Sequence, residues 1–394
     1  MKRFTLIVDG HNFFFRSLWS TFKTKTKSKI LSSKTDIDTY EKKLMVDFYS
    51  TIKNISPIVN DIVFVKDSHS WRKDLLLQQE YKGNRKRTQD NIDMNGFSTV
   101  INNFVETLTN MGIKTSCVDR SEGDDLISAW SESLFLDGKS SLILSTDKDL
   151  TQLVKCVDDV HIIQYAPISN KLYVSQETND IIESLNTNEQ TSENLFEEMF
   201  TISIENDPFK NFVDSTKVEV INPEYIRFMK IIGGDSSDNI HSVYFKNGDG
   251  VKRSKGLGEK TVDKIYNTFH NKLGCEFDYH IYSNDDAMMM LCNIIYEVAK
   301  IKDEEFTKRM LLENIKVNTS LVSLTPESIP TDVVENMLEN INEDKQKRAI
   351  IVSKISKESI FSKSRFKDYK STIQITSNVM KGVNDDDMSF INDF

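Results

Sequence analysis

The 394-residue sequence predicts an α/β protein built on a parallel sheet with helices on both of its faces. Short β-branched and apolar runs alternate with helix-compatible stretches along the first half of the chain. Glycine and proline are scarce, at 14 and 6 residues, which disfavours turn-dense all-β designs. The hydrophobic share of 38% and the charged share of 28% suffice for a core and exclude a wholly disordered chain.

Five short runs are the predicted strands: Arg3–Val8, Asp61–Lys66, Ile113–Val118, Ser141–Ser145 and Val160–Gln164. Helical patterns lie between them, over Tyr40–Asn54, Gly96–Asn110, Asp124–Leu136 and Asp149–Val154. Strands that alternate with helices form parallel sheets, and such sheets bind ligands at the carboxyl ends of their strands.

Charge is distributed unevenly along the chain. A net charge of −10 would by itself argue against binding to a phosphate backbone. However, residues 177–207 hold nine carboxylates, which predicts an acidic surface insertion near 177–209. We expect an α/β domain over residues 1–222, a mostly helical part over 223–384 and an acidic tail over 385–394.

The four cysteines show no close pairing, which favours free thiols in a reducing compartment over a zinc site or a disulfide scaffold. No apolar run approaches the roughly 18 residues of a membrane span, and no signal peptide is evident. We therefore expect a soluble, monomeric, cytoplasmic protein.

Nine carboxylates follow predicted strands or lie in the turns that begin predicted helices. They are Asp9, Asp67, Glu122, Asp124, Asp125, Asp147, Asp149, Asp235 and Asp238. The first seven are expected to crowd one edge of the sheet, and like charges at that density require cations. Oxygen ligands favour Mg²⁺ or Mn²⁺ over zinc, and their excess suggests two ions about 4 Å apart, which suits phosphodiester hydrolysis.

Helix capping is the alternative for each of these residues taken singly. An Asp after a strand is ordinarily an N-cap or turn residue, and Asp124 or Asp149 alone would be interpreted so. Acids placed at the same edge by five separate segments are harder to ascribe to capping, so the joint pattern favours a metal site.

Six motifs occur in a specific order: LIVDGHNFFFR at 6–16, YKGNR at 81–85, EGDDLISAW at 122–130, LSTDKDLTQLV at 144–154, GGDSSDNI at 233–240 and GLGEKTVDKI at 256–265. This ordered set resembles the 5′-nuclease superfamily of flap endonucleases, polymerase-linked 5′-nucleases and phage 5′-exonucleases. The WRKDL and YKGNR segments, the long tract after GGDSSDNI and the terminal INDF most resemble the ribonuclease H of T-even-like phages.

The resemblance implies a PIN-like three-layer α/β/α domain, a helical arch near residues 72–105 and a helix–hairpin–helix-like element near 232–268. It implies that the first metal ion is bound by Asp9, Asp67, Glu122, Asp124 and Asp147. It implies that the second lies near Asp125, Asp149, Asp235 and Asp238. The catalytic set is then Asp9, Asp67, Asp147 and Asp149, assisted by Lys82 and Arg85.

The resemblance also implies a set of nucleic-acid contacts. They are Arg72, Tyr81, Lys82, Arg85, Lys86, Arg87, Gly256, Gly258 and Lys260. Lys82 and Arg85 would place positive charge beside the scissile phosphate. For Tyr81, stacking on an unpaired base and packing in a core are equally open, and Lys86 and Arg87 would otherwise form a solvated helix face.

Two positions depart from the family pattern. The segment Ile240–Lys255 is about eleven residues longer than usual, which bears on the K⁺ ion that the family often binds at the hairpin. Gly123 stands where the family often has Ala, a change that we expect to be harmless for metal ligation. His11, beside Asp9, is interpreted as structural or substrate-facing.

The function implied is that of a metal-dependent 5′→3′ exonuclease and flap endonuclease with ribonuclease H-type activity. It would remove RNA primers or flaps from duplex DNA during replication, with two Mg²⁺ ions that Mn²⁺ can replace. The alternatives are a catalytically silent DNA-binding scaffold and a PIN-type ribonuclease. The acidic tail is a candidate docking peptide for a sliding clamp or a single-stranded-DNA-binding protein.

Overall fold

The computed structural model describes residues 4–22, 29–75, 81–83, 91–187, 207–244, 256–273, 284–301 and 307–354. The chain divides into two compact units. The first comprises Met1–Ser68, Thr88–Ile221 and Glu335–Phe394, and the second comprises His69–Arg87 and Asn222–Val334.

The first unit is organised around an eight-stranded sheet, as far as its described residues go. The strands are β1 (Phe4–Asp9), β2 (Val59–Val65), β3 (Lys114–Ser116), β4 (Ser141–Leu144), β5 (Lys155–Val157), β6 (Val160–Ala166), β7 (Lys171–Val174) and β8 (Lys217–Val220). Their order is β3-β2-β1-β4-β6-β7-β8, with β5 paired to β6. The pairs from β3 through β6 are parallel, so their carboxyl ends meet at one edge.

One face of the sheet is covered by α1 (Gly10–Thr21), α2 (Lys34–Ile55) and α3 (Met94–Asn110). The contact is an aromatic cluster in which Phe13 and Phe104 are stacked and the other pairs lie edge-on or tilted, with centroids 5.4–6.3 Å apart. Its members are Phe13, Phe14, Phe48, Phe64 and Phe104. These rings bury a large apolar area in preferred geometries, and they anchor α1 immediately after β1 ends.

The helix α4 (Gly123–Leu136) packs against β1, β2, β4 and β6. Its Trp130 Nε1 donates a hydrogen bond to Ser116 Oγ at 3.0 Å. Ser116 Oγ in turn donates to Asn340 Oδ1 at 2.8 Å, on α11 (Thr331–Lys354). Lys114 of the edge strand β3 pairs with Asp344 of the same helix at 3.0 Å. The last helix therefore contacts the strand at the end of the sheet. Shorter helices α5 (Gln176–Thr187) and α6 (Pro208–Asp214) precede β8.

The second unit is helical within its described residues. It contains α7 (Pro223–Gly233), α8 (Glu259–Leu273), α9 (Asp285–Ala299) and α10 (Lys308–Val322). Their apolar faces share one core that includes Phe228, Ile265, Leu291 and Ile315, all fully buried.

The predicted fold class is confirmed, since a mostly parallel sheet carries helices on both faces. All five predicted strands are present within a few residues of the expected bounds, and Lys148–Leu153 forms a 3₁₀-helix. The strands β5, β7 and β8, of three or four residues, lie outside the predicted set. The strands β3 and β4 are equally short, but they lie inside the predicted runs Ile113–Val118 and Ser141–Ser145.

Residues 177–187 of the predicted acidic insertion belong to α5, and the remainder up to 206 lies outside the described residues. Residues 76–80 and 84–90 of the predicted arch and the whole acidic tail also lie outside them. The domain boundaries at 222 and 384 stay predictions. No helix in the described part of the chain is both long and apolar enough to cross a membrane.

Phe64 provides a test of the aromatic cluster because it is fully buried and contacts four other rings. We expect Phe64→Ala to lower the free energy of unfolding by about 3–5 kcal/mol, through lost burial and a residual cavity. Denaturant unfolding followed by circular dichroism measures this. The control is Leu136→Ala, because Leu136 is 78% exposed and its truncation should change stability by no more than about 0.5 kcal/mol.

Candidate active site

Asp9 ends β1 in the middle of the parallel strands, and it is 5% exposed. Its Oδ2 accepts a hydrogen bond from Ser145 Oγ at 2.6 Å, and its Oδ1 accepts one from the Asn12 backbone N–H at 3.0 Å. The second contact makes Asp9 the N-cap of α1. Among the described residues, no Lys, Arg or His forms an ion pair with this carboxylate.

Burial raises the pKa of Asp9 from 3.8 to about 6, although the hydrogen bonds from Ser145 and Asn12 act in the opposite direction. Repulsion by the carboxylates of Asp67 and Asp147 contributes to this rise. Asp67 and Asp147 are therefore close enough to Asp9 to influence its pKa, as expected from the parallel sheet.

Asp147 lies just beyond β4, beside Asp9 in the sheet order. Its Oδ1 accepts a hydrogen bond from the Asp149 N–H at 2.9 Å, and its own N–H donates to Ser145 Oγ at 3.0 Å. Ser145 thus contacts both Asp9 and Asp147. Among the described residues, no cationic side chain pairs with Asp147 either.

Two side-chain contacts fix the loop that carries Asp147. Asn12 Nδ2 donates to Thr146 Oγ1 at 2.8 Å, and Asn12 Oδ1 accepts from the Thr146 N–H at 3.2 Å. From below, the buried Gln164 Nε2 donates to the backbone carbonyls of Ser145 and Asp147 at 3.0 and 2.6 Å. The loop after β4 is thereby tied to both α1 and β6.

Asp67, two residues beyond β2, is held by two donors. Its Oδ1 accepts the Gly123 N–H at 2.6 Å, and its Oδ2 lies 2.9 Å from His11 Nδ1. A Cβ at Gly123 would lie 2.2 Å from Asp67 Oδ1. An alanine at this position would need a small movement of the end of the Asp67 side chain, so the expectation that residue 123 is harmless for metal ligation stays a prediction.

The acids at the start of α4 differ in their surroundings. Glu122 and Asp124 are partly exposed, whereas Asp125 is fully buried. Asp125 Oδ2 accepts the Glu122 N–H at 3.3 Å in a capping box at the first turn of the helix. Asp125 therefore caps the first turn of the helix, as Asp9 caps α1, and its assignment to the second metal ion stays a prediction.

Within the described ranges, no group of three or more His, Cys, Asp or Glu side chains is already arranged around a metal position. The carboxylates of Asp9, Asp67 and Asp147 accept hydrogen bonds from protein donors. The donor chemistry nevertheless fits a hard divalent cation, because these are oxygen ligands and two of them form no ion pair with a cation among the described residues.

The second unit contains Asp235 and Asp238, each with a lysine beside it. Lys230 Nζ lies 2.7 Å from Asp235 Oδ2, and Lys82 Nζ lies 3.9 Å from Asp238 Oδ2. Burial opposes ionisation of Asp235, but hydrogen bonds from Lys230 and Ser237 outweigh it and lower the pKa. The assignment of both aspartates to a second metal ion stays a prediction, as does the role of Lys82 beside a scissile phosphate.

Two predicted nucleic-acid contacts are corrected by burial. Arg72 is 1% exposed, its Nε donates to the Leu321 carbonyl at 3.1 Å, and its guanidinium lies 4.6 Å from the Trp71 ring centroid. Tyr81 is 8% exposed and belongs to the core of the second unit. Arg72 and Tyr81 are thus packing residues, and neither presents a surface to a base or phosphate in this structure.

Gly256, Gly258 and Lys260 are exposed around the start of α8. Arg85, Lys86 and Arg87 lie outside the described residues. The site residues missed by the sequence analysis are Ser145, Asn12 and Gln164. No local pattern indicates them, because each acts through a partner that the fold, and not the chain order, brings close.

A family model described as the 5′-3′ exonuclease N-terminal, resolvase-like domain matches residues 4–190. A 5′-3′ exonuclease of Buchnera aphidicola (Acyrthosiphon pisum) is 35% identical over 112 residues, 28% of this chain and 36% of the relative. Its counterpart from the Schizaphis graminum subspecies is 26% identical over 168 residues, 41% of this chain and 52% of the relative. The chain thus spans about a third to a half of the length of these relatives.

Solved structures with a similar fold include the bacteriophage T5 flap endonuclease in a pseudo-enzyme–product complex with DNA and metal ions. It is 18% identical, with a TM-score of 0.48 and coverage of 86% of this chain and 98% of that one. The catalytic core of Rad2 with a DNA substrate is 12% identical, with a TM-score of 0.37 and coverage of 82% and 83%. Because both TM-scores are below 0.5, these structures carry no argument, and the likeness to 5′-3′ exonucleases rests on the family model over residues 4–190.

Residues 4–190, just under half of the chain, are similar to the N-terminal, resolvase-like domain of 5′-3′ exonucleases.

The raised pKa of Asp9 predicts a pH dependence of stability. Between pH 4 and pH 6 the folded state holds a proton on Asp9 that the unfolded state has released, so stability falls as pH rises through this window. We expect the unfolding free energy of metal-free protein to fall there by on the order of 3 kcal/mol relative to Asp9→Asn. Chemical denaturation with chelator at several pH values measures it, and parallel curves for the two proteins would contradict it.

The burial of Arg72 predicts a loss of stability without a loss of DNA affinity. We expect Arg72→Ala to lower the free energy of unfolding by about 2–3 kcal/mol, because a charged hydrogen bond and a buried stem are removed. Measured by fluorescence anisotropy, the affinity of the folded variant for a labelled flap duplex should equal that of the parent. A selective loss of affinity would restore Arg72 to the binding surface.

Proposed function

We propose that this protein is a divalent-metal-dependent hydrolase of phosphodiester bonds, acting as a 5′→3′ exonuclease and flap endonuclease. Its substrates would be 5′ flaps, nicked duplexes and RNA primers annealed to DNA, so the activity includes that of a ribonuclease H. The family match supports the reaction class, and the carboxylates at the sheet edge support dependence on a metal.

The observation that carries the proposal is that the carboxylates at the ends of β1 and β4 form no ion pair with a described Lys, Arg or His, although Arg16 attracts Asp9 electrostatically. Asp9 is buried, its pKa is raised to about 6, and no described cation pairs with it or with Asp147. Burial of ionisable carboxylates without a partner is costly, and proteins that retain such groups commonly use them. A bound cation would offset this cost.

Asp9, Asp67 and Asp147 would hold a divalent ion, with Glu122 and Asp124 contributing directly or through water. The ion would supply a bound water of lowered pKa and a Lewis acid for the phosphate oxygens. Ser145 orients the Asp9 carboxylate through the contact at 2.6 Å. Asn12 and Gln164 keep the loop with Asp147 in place, so the chain itself fixes where the ligands lie.

Several finer points belong to the proposal. Mg²⁺ is the expected ion, Mn²⁺ its substitute and K⁺ a ligand of the hairpin near Gly256–Gly258. A role in replication in a phage-infected or bacterial cytoplasm, a monomeric state, and docking of the acidic tail to a clamp or a single-stranded-DNA-binding protein complete it.

The test is cleavage of 5′-labelled flap, nicked and RNA-primed duplexes by the full chain with Mg²⁺, Mn²⁺ or chelator. We expect short labelled products with either metal and none with chelator. Metal-dependent binding without any cleavage would favour the silent scaffold. Cleavage of single-stranded RNA in preference to all three duplexes would favour the PIN-type ribonuclease.

Loss of one ligand should separate cleavage from binding. We expect Asp147→Asn, and likewise Asp67→Asn, to reduce single-turnover cleavage of a flap substrate by at least about a thousandfold, because the metal loses a charged ligand. Affinity for the substrate should stay within a few-fold of the parent. The control is Asp137→Asn, a carboxylate beyond the end of α4, which should cleave normally. A near-normal rate for Asp147→Asn would refute the assignment.

A further inference from the structure

The hairpin Gly256–Gly258, just before α8, contacts the side chain of Ser242. Ser242 Oγ accepts a hydrogen bond from the Leu257 backbone N–H at 3.0 Å. The neighbouring Gly256 approaches so closely that a Cβ there would lie 2.9 Å from Ser242 Cβ. Tyr244 and Gly256, on either side of the long inserted segment, are therefore brought near the same serine, and the insertion does not separate the hairpin from the preceding loop.

The same loop carries Asp235 and Asp238. It is closed by reciprocal backbone hydrogen bonds between Asp235 and Ile240, at 2.9 and 2.7 Å. Two residues after Ile240 comes Ser242, which is 7% exposed. Asp235, Asp238 and Ser242 thus lie on one short segment that is closed by its own backbone hydrogen bonds.

The helix α10 holds this segment from the other side through two asparagines one turn apart. Asn318 Nδ2 donates to the carbonyls of Ile231 and His241 at 2.7 and 2.9 Å. Asn314 Nδ2 donates to the Val243 carbonyl at 2.8 Å. The carbonyls of His241 and Val243, on both sides of Ser242, are therefore hydrogen-bonded to a helix of the same core. Within the described residues, the Ser242 hydroxyl forms the hydrogen bond that connects this segment to the hairpin.

We propose that Ser242 is a positioning residue that joins the Gly256–Gly258 hairpin to the loop of Asp235 and Asp238. Binding of a duplex phosphate at the hairpin and placement of the two aspartates are then a single event. This inference rests on the proposed nuclease function and adds a residue that neither the motifs nor the family match assigns.

A purely structural serine would act differently. It would lower the melting temperature of the second unit, yet the folded fraction would bind and cleave DNA normally. A positioning serine changes both the affinity for duplex DNA and the rate at saturating DNA, because the two functions share one segment.

The experiment uses three variants of the full chain. Ser242→Ala removes the hydroxyl that accepts the Leu257 N–H and keeps the Cβ. Gly256→Ala pushes the hairpin away from Ser242, and the third variant combines both substitutions. The matched control is Ser320→Ala, because the Ser320 hydroxyl donates a hydrogen bond to the Lys316 carbonyl within α10. Each is assayed for the dissociation constant of a labelled flap duplex in chelator and for single-turnover cleavage with Mg²⁺ at saturating substrate.

We expect each single variant to weaken DNA binding by about fivefold and to slow cleavage at saturation by a similar factor, the effect of one lost hydrogen bond. The double variant should be no worse than the more impaired single variant, because both break the same contact. The Ser320→Ala control should match the parent.

Two results would overturn the inference while the parent enzyme cleaves DNA. One is a Ser242→Ala variant that binds the flap duplex and cleaves it as the parent does. The other is a double variant whose losses of DNA affinity and cleavage rate equal the sum, in free energy, of those of the single variants. Absence of cleavage by the parent with any metal would instead refute the proposed nuclease function.

Discussion

Parallel pairing of β1 with both β2 and β4 is the constraint on which the candidate active site depends. The register places Asp9 opposite Val65 and Val8 opposite Leu144, so the segments that follow all three strands begin at one edge. Asp67 and Asp147 follow two and three residues later. Burial of Asp9, together with repulsion by Asp67 and Asp147, raises its pKa to about 6. A divalent cation bound between these carboxylates would offset both effects.

Much of this arrangement could be predicted from the sequence, because it follows from local signals. Apolar runs ending in Asp9 and before Asp67 and Asp147 show both the strands and the edge at which their acids meet. Contacts between distant residues left no such signal. Nothing in the sequence near Gln164 reveals that its amide binds the carbonyls of Ser145 and Asp147.

Burial is the second property that the sequence did not reveal. Arg72 belongs to a strongly basic segment and was expected at the nucleic-acid surface, but its guanidinium packs on Trp71 and bonds to Leu321. A charge count registers a buried arginine and an exposed one alike. The burial of Asp125 in a capping box is equally absent from the sequence, because a capping carboxylate and a metal ligand share the same position after a strand.

Metal binding to the chain is the most direct test of the central claim, that the carboxylates at this edge form a divalent-cation site. Calorimetric titration of metal-free protein with Mn²⁺ should show binding by the parent. The affinity should fall at least about tenfold in Asp9→Asn, since removal of a ligand should cost no less than the loss of an outer-shell partner. Equal affinity in the parent and in Asp9→Asn would contradict the account.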